Sequence, residues 1–101
     1  MPHFFVKLIA PRPTFALDMN EAERALMNEH LQYWKGRLDH GEVVVFGPVM
    51  DPAGPYGMGV IEAEDERGAR VFADGDPVAR AGLGFRIEIH SMRAVTRAAV
   101  N

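Results

Sequence analysis

DHGEVVVFGPVMDPAGPYG, residues 39–57, decides how the chain folds. Val43, Val44, Val45, Phe46 and then Val49 form a nearly continuous apolar run, the pattern of a strand buried on both faces, over residues 42–49. Gly41 stands just before it, where the left-handed residue that closes a helix belongs. Behind it DPAGPYG, residues 51–57, carries turn signals throughout, so the next apolar segment, residues 58–63, returns as the hairpin partner. Gly47 and Pro48 interrupt the run near its end. Glycine inside a strand marks a bulge or a close approach to the backbone, and proline removes a ladder donor. With Asp51 close behind, this segment reads as the lip of a small pocket.

Upstream of Gly41, residues 21–40 contain neither proline nor a β-branched residue, and Gly36 is the one weak helix former. Met27, Leu31, Trp34 and Leu38 are spaced by four, three and four, which predicts one apolar stripe along a helix. Asp18 with Glu21 reads as a capping box, and Asn20 is a competing cap. Further upstream, FFVKLIA, residues 4–10, is rich in strand formers and ends at Pro11-Arg12-Pro13. Phe4, Val6 and Leu8 share one face of that strand; His3, Phe5, Lys7 and Ile9 share the other. Downstream, a polar stretch at residues 64–68 leads to a short helix at residues 69–73. Gly75-Asp76-Pro77 then starts a second helical piece at residues 78–81, with Asp76 as N-cap and Pro77 at the first helical position. FRIEIHSM, residues 85–92, alternates strictly and reads as a half-buried strand. The tail, residues 94–101, either trails off or packs on a neighbour.

The order is therefore β-α-β-β-α-β, an α+β chain of the ferredoxin-like kind, with a four-stranded antiparallel sheet and helices on one face. Its 101 residues suit one domain spanning 1–101. The other sheet face stays open, with Phe5 and Ile9 pointing there. An apolar face of that kind marks an interface, so a second copy packed sheet on sheet, a homodimer, is expected. Charged residues make up 25% and the net charge is -3, which leaves no basic footprint for nucleic acid. The apolar patch at the N-terminus is interrupted by His3 and Lys7 and is too short to cross a membrane. No cysteine is present, which excludes a disulfide framework and a cysteine nucleophile and fits a cytoplasmic location.

Of the histidines, His30 lies at the edge of the apolar stripe with Trp34 one helical turn later. An imidazole beside an indole and near a carboxylate suits proton transfer; it also suits a boundary residue bonded to backbone. His40 sits at a helix end, where a cation suits the dipole, and His3 and His90 fall on strand faces. Asp76 caps a helix with one oxygen and keeps the other free to orient a histidine. Asp51 reads as a turn aspartate. Gly57-Met58-Gly59 lacks the strand-loop-helix setting of a nucleotide site. No histidine pair has metal-ligand spacing, and no cofactor is required by the residues.

Taken together, His30-Leu31-x-Tyr33-Trp34 on the first helix, Gly41 at its end, Phe46-Gly47-Pro48 closing the next strand, and Ala73-Asp74-Gly75-Asp76-Pro77 before the last one resemble the YciI-like (YCII-related) proteins over nearly the whole chain. The resemblance implies a dimeric α+β barrel of ferredoxin-like protomers. It also implies an active site built on a histidine and an aspartate, here His30 and Asp76. Related activities include dehydrochlorination of a chlorinated hydroxyquinol, and fold neighbours include lactone isomerases and small monooxygenases. The loop from Pro11 to Phe15 departs from the common family pattern, so substrate contacts there do not carry over. The expectation is a cofactor-free lyase or isomerase acting on a small cyclic or aromatic compound. Trp34, Phe46, Tyr56 and Phe5 would wall its site, Gly47 and Pro48 form the lip, and Arg12 or Arg86 would hold a substrate oxygen. The alternative is a non-catalytic dimeric module that binds a small molecule.

Overall fold

The computed structural model describes residues 1–98. Strand β1 (His3–Ile9) leads to a short helix α1 (Phe15–Asp18) and the long helix α2 (Glu21–Asp39). Strands β2 (Val43–Val49) and β3 (Tyr56–Glu62) form the hairpin; helices α3 (Glu66–Asp74) and α4 (Pro77–Arg80) precede β4 (Arg86–Met92). The four strands form one antiparallel sheet in the order β2-β3-β1-β4, with β3 and β1 central. The expected ferredoxin-like α+β architecture is the one observed. The tail lies outside every element as far as Ala98, and its last three residues lie outside the described chain.

Cross-strand partners share a face, so the register assigns each side chain. Phe4 opposite Ile61, Val6 opposite Ile89, and Val43 opposite Ile61 lie on the helix side. There Phe4, Val6, Val43 and Ile61 join Trp34, Ala69 and Phe72 in the core. Each large apolar side chain buried in this way contributes roughly 1.5–3 kcal/mol. Phe5, opposite Val60 and His90, lies on the open face, as expected. The Trp34 ring lies 4.8 Å from Phe72, edge to face, and 5.5 Å from Phe46. Gly59 makes this seat possible: a Cβ there would overlap Trp34 Cζ3, so the indole rests directly on the strand backbone.

Four local expectations are corrected. The run at residues 42–49 is an edge strand, not one buried on both faces: Val44 and Val45 are 43% and 50% exposed. A bulge between Val43 and Val45 shifts its register, and an edge position is where Pro48 costs no ladder bond. The stripe on α2 is rotated. Leu31 and Leu38 are 41% and 39% exposed, while Glu23, Leu26 and Trp34 are buried. The third helix starts at Glu66, not residue 69, because Asp65 accepts the Gly68 N–H and caps it.

The start of α2 is the fourth correction. Asn20, not Asp18, is the N-cap. Its side chain accepts the Glu23 N–H, and Glu23 in return accepts the Asn20 N–H. Asp18 instead ends α1, a short helix that the sequence reading did not include. Gly41 does close the long helix as expected, at φ 83°.

Arg12 explains why a glutamate occupies a buried position on α2. Its guanidinium donates to both oxygens of Glu23, each at 2.8 Å, and its Nε donates to Asp18 at 2.8 Å. This planar fork matches a carboxylate and ties the chain after β1 to the first turn of α2. The Arg12 guanidinium, followed by the Asn20 N–H, holds the Glu23 carboxyl down at about 2. Asp18 is also lowered, first by the Thr14 hydroxyl and then by Arg12. A depressed carboxyl stabilises the fold above its ordinary value, 4.5 for Glu23, and loses that contribution as pH falls toward about 2. Glu23→Gln is therefore expected to flatten the fall in stability across that acid window, read from urea midpoints at a series of pH values. An unchanged slope would show that Glu23 does not titrate with folding.

Candidate active site

The site begins with a helix cap. Asp76 precedes Pro77 at the start of α4, and its Oδ1 accepts the Val78 N–H at 3.1 Å. That leaves Oδ2 facing α2, against which α4 packs. His30 and Trp34 are one helical turn apart on α2 and so present their rings to the same place. Trp34 Nε1 donates to Asp76 Oδ2 at 2.7 Å, and His30 Nδ1 stands 2.7 Å from the same oxygen. Asp76 is 2% exposed, so its carboxylate depends on these three N–H groups in place of water.

The donors fix the chemistry of the imidazole. An indole N–H only donates, and a carboxylate only accepts. With Asp76 as the carboxylate, Nδ1 of a neutral His30 must carry the hydrogen, and Nε2 is then the basic nitrogen. His30 retains 18% side-chain exposure, and Nε2 takes no hydrogen bond among the described residues. The arrangement holds one imidazole in one tautomer with its basic nitrogen unused.

His30, Trp34 and Asp76 line a cavity of about 270 Å³. It lies between α2 and the helix side of the sheet. Leu8, Phe46 and Ile87 line it from the sheet, Met27 and Leu31 from α2, and Phe15, Ala16 and Met19 from α1 and its end. Gly57 and Gly59 keep the floor at β3 free of side chains on this side.

Most of the expected site residues meet here. His30, Asp76, Trp34, Phe46, Gly47 and Pro48 all line the cavity, and so does Tyr56. Arg12 does not: its donors are committed to Asp18 and Glu23. Arg12 and Arg86 line a second, shallower hollow with Lys7 and Glu88. Phe5 lies on the opposite face of the sheet. Asp51 accepts the Ala53 N–H, as a turn aspartate does. His40 Nδ1 lies 2.8 Å from the Gly36 carbonyl, and His3 and His90 lie beside Glu62 and Glu88. Phe15, Met19, Met27 and Leu8 line the cavity without having been foreseen there. Nothing in their local sequence distinguishes a pocket wall from a core position. Among the described residues, no group of three potential ligands stands ready to hold a metal, and no helix is long and apolar enough to cross a membrane.

Asp76→Asn tests the cradle directly. A plain cap exchange of Asp for Asn costs little. Here the amide has one acceptor oxygen for three donors, so a loss of about 1–3 kcal/mol is expected. Nitrogen chemical shifts of His30 should also report a changed tautomer ratio. A variant as stable as the parent, with the His30 tautomer unmoved, would reduce Asp76 to a helix cap.

The description YCII-related domain matches residues 3–93. No curated protein matches. Among solved structures, 5-chloro-2-hydroxyhydroquinone dehydrochlorinase from Burkholderia phenoliruptrix AC1100, in complex with 2,5-dihydroxybenzoquinone, is similar in fold, with a TM-score of 0.62 and 19% identity. The alignment covers 89% of this chain and 93% of that one. The family match spans nearly the whole described chain, and the chain belongs to the YCII-related domain family.

Proposed function

We propose that the chain is a small enzyme in which His30 moves a proton on a small cyclic or aromatic compound held in the cavity, with Asp76 setting the imidazole tautomer. The observation that carries this reading is the 2.7 Å contact between His30 Nδ1 and a buried Asp76 at the wall of an apolar cavity. A general base needs reach, the right tautomer and partial shelter from water. His30 Nε2 takes a proton from a carbon or hydroxyl of the substrate, and the electron pair left behind moves into the ring system. The pair then either expels a leaving group as its anion, an elimination, or is protonated at another carbon by His30, an isomerisation. Both outcomes balance without an oxidant or reductant. The similarity in fold to a dehydrochlorinase supports the first outcome.

Two assays address the reaction. One follows chloride release from 5-chloro-2-hydroxyhydroquinone; the other follows conversion of a β,γ-unsaturated cyclic ketone to its conjugated isomer by ultraviolet absorbance. His30→Ala is expected to lower the rate of whichever reaction the parent catalyses by roughly 10²–10⁴-fold, the usual worth of a positioned base. Circular dichroism should remain that of the parent. Undiminished turnover in a folded His30→Ala protein would sink the assignment, and a parent that binds ring compounds but turns over none would favour a binding module.

The reading includes a homodimer formed through the open sheet face. Phe5, Val45 and Val60 form an apolar row across that face, and Val45 is half exposed. Sedimentation equilibrium is expected to give twice the chain mass; a monomer at micromolar concentration removes the dimer from the proposal.

A further inference from the structure

The cavity's walls carry information about the ligand that the catalytic pair does not. Of the polar side chains at the cavity, Asp76 has both oxygens engaged by Val78, Trp34 and His30, and the Trp34 N–H is spent on Asp76. Tyr56 borders the cavity, but it alternates with Gly57 along β3, so its side chain turns to the open side of the sheet, with the ring centroid 4.5 Å from the Lys7 ammonium. His30 Nε2 is the polar side-chain group left to meet a ligand. The remaining side chains of the wall are apolar, with Leu8, Phe46 and Ile87 on one side and Met27 and Leu31 on the other. Phe15, on the segment that Arg12 ties to α2, meets Phe85 edge to face at 5.2 Å and closes the end.

Size narrows the class further. An engineered apolar cavity of about 150 Å³ accepts benzene. At about 270 Å³, this one has room for two fused rings, or one ring with a short alkyl chain. A ligand hydroxyl buried against hydrocarbon loses its water and gains no partner, which costs about 1–3 kcal/mol, or roughly fivefold to a hundredfold in affinity. A polyhydroxylated ring would suffer that loss at every oxygen except the one facing His30.

We propose that the cavity selects a hydrocarbon-like compound of one or two rings bearing a single hydroxyl or carbonyl oxygen, placed against His30 Nε2. This inference rests on the same site as the proposed reaction. It departs from the compound bound to the similar dehydrochlorinase, 2,5-dihydroxybenzoquinone, which carries four oxygens on one ring.

Calorimetric titration of the intact protein with 2-naphthol, phenol, hydroquinone and 1,2,4-trihydroxybenzene tests the selection without requiring turnover. The indole N–H resonance of Trp34, the one tryptophan, locates the ligand. The expected order is 2-naphthol tightest, then phenol, with a loss of roughly fivefold or more for each further hydroxyl, and 2-naphthol should shift the Trp34 resonance. Trihydroxybenzene binding as tightly as phenol, naphthol binding without moving Trp34, or no binding by any probe at millimolar concentration would each overturn the proposal. Preserved selection in His30→Ala with loss of turnover leaves both readings standing. Reversed selection in a protein whose turnover depends on His30 removes only this one.

Discussion

A buried carboxylate must replace every water it loses, and the solution at Asp76 joins two helices. One oxygen accepts from the Val78 N–H of its own helix, and the other accepts from Trp34 and stands against His30 on the long helix. An uncompensated charge at a position 2% exposed would cost several kcal/mol. The α4 start is thereby held against α2, and the same bonds that satisfy the aspartate orient the imidazole. Stability and the proposed chemistry are coupled here: a change that loosens the carboxylate also releases the imidazole.

The cavity follows from a second constraint, the absence of side chains on the strand beneath. Gly59 lets the Trp34 indole lie on β3, and this brings its N–H to Asp76. Gly57 leaves the adjoining floor open below Leu8 and the helix wall. A close-packed interior leaves few voids larger than a water molecule. A cavity of this size bounded by apolar side chains is therefore a feature of the residue choice on β3 and not a packing defect. Arg12 works at the other end of the same space. By taking up Glu23 and Asp18, it anchors α1 so that Phe15, Ala16 and Met19 serve as an outer wall.

The open sheet face and the cavity lie on opposite sides of the same four strands. Alternation along β4 shows the division plainly: Ile87 and Ile89 face the helices, and Glu88 and His90 face away. Substitutions on one side can thus alter pairing between copies with little direct effect on the other, and the proposed dimer and the proposed chemistry are separable by mutation.

Local rules carried the element order, the Gly41 closure of α2, the Asp76-Pro77 start of α4 and the strict alternation of β4. Each depends on residues within a few positions of one another, and a backbone N–H finds a cap two or three residues away whatever the rest of the chain does. Long-range contacts decided the rest. The His30 and Trp34 bonds to Asp76 span 46 and 42 residues, and the family resemblance, not the spacing, pointed to the first of them. The position of β2 at an edge, the rotation of the buried stripe on α2 and the capture of Arg12 by Glu23 were misread or unforeseen for the same reason. Hydrophobic periodicity tells which residues avoid water but not what they meet, because a pocket wall, an open sheet face and a solid core all favour the same side chains.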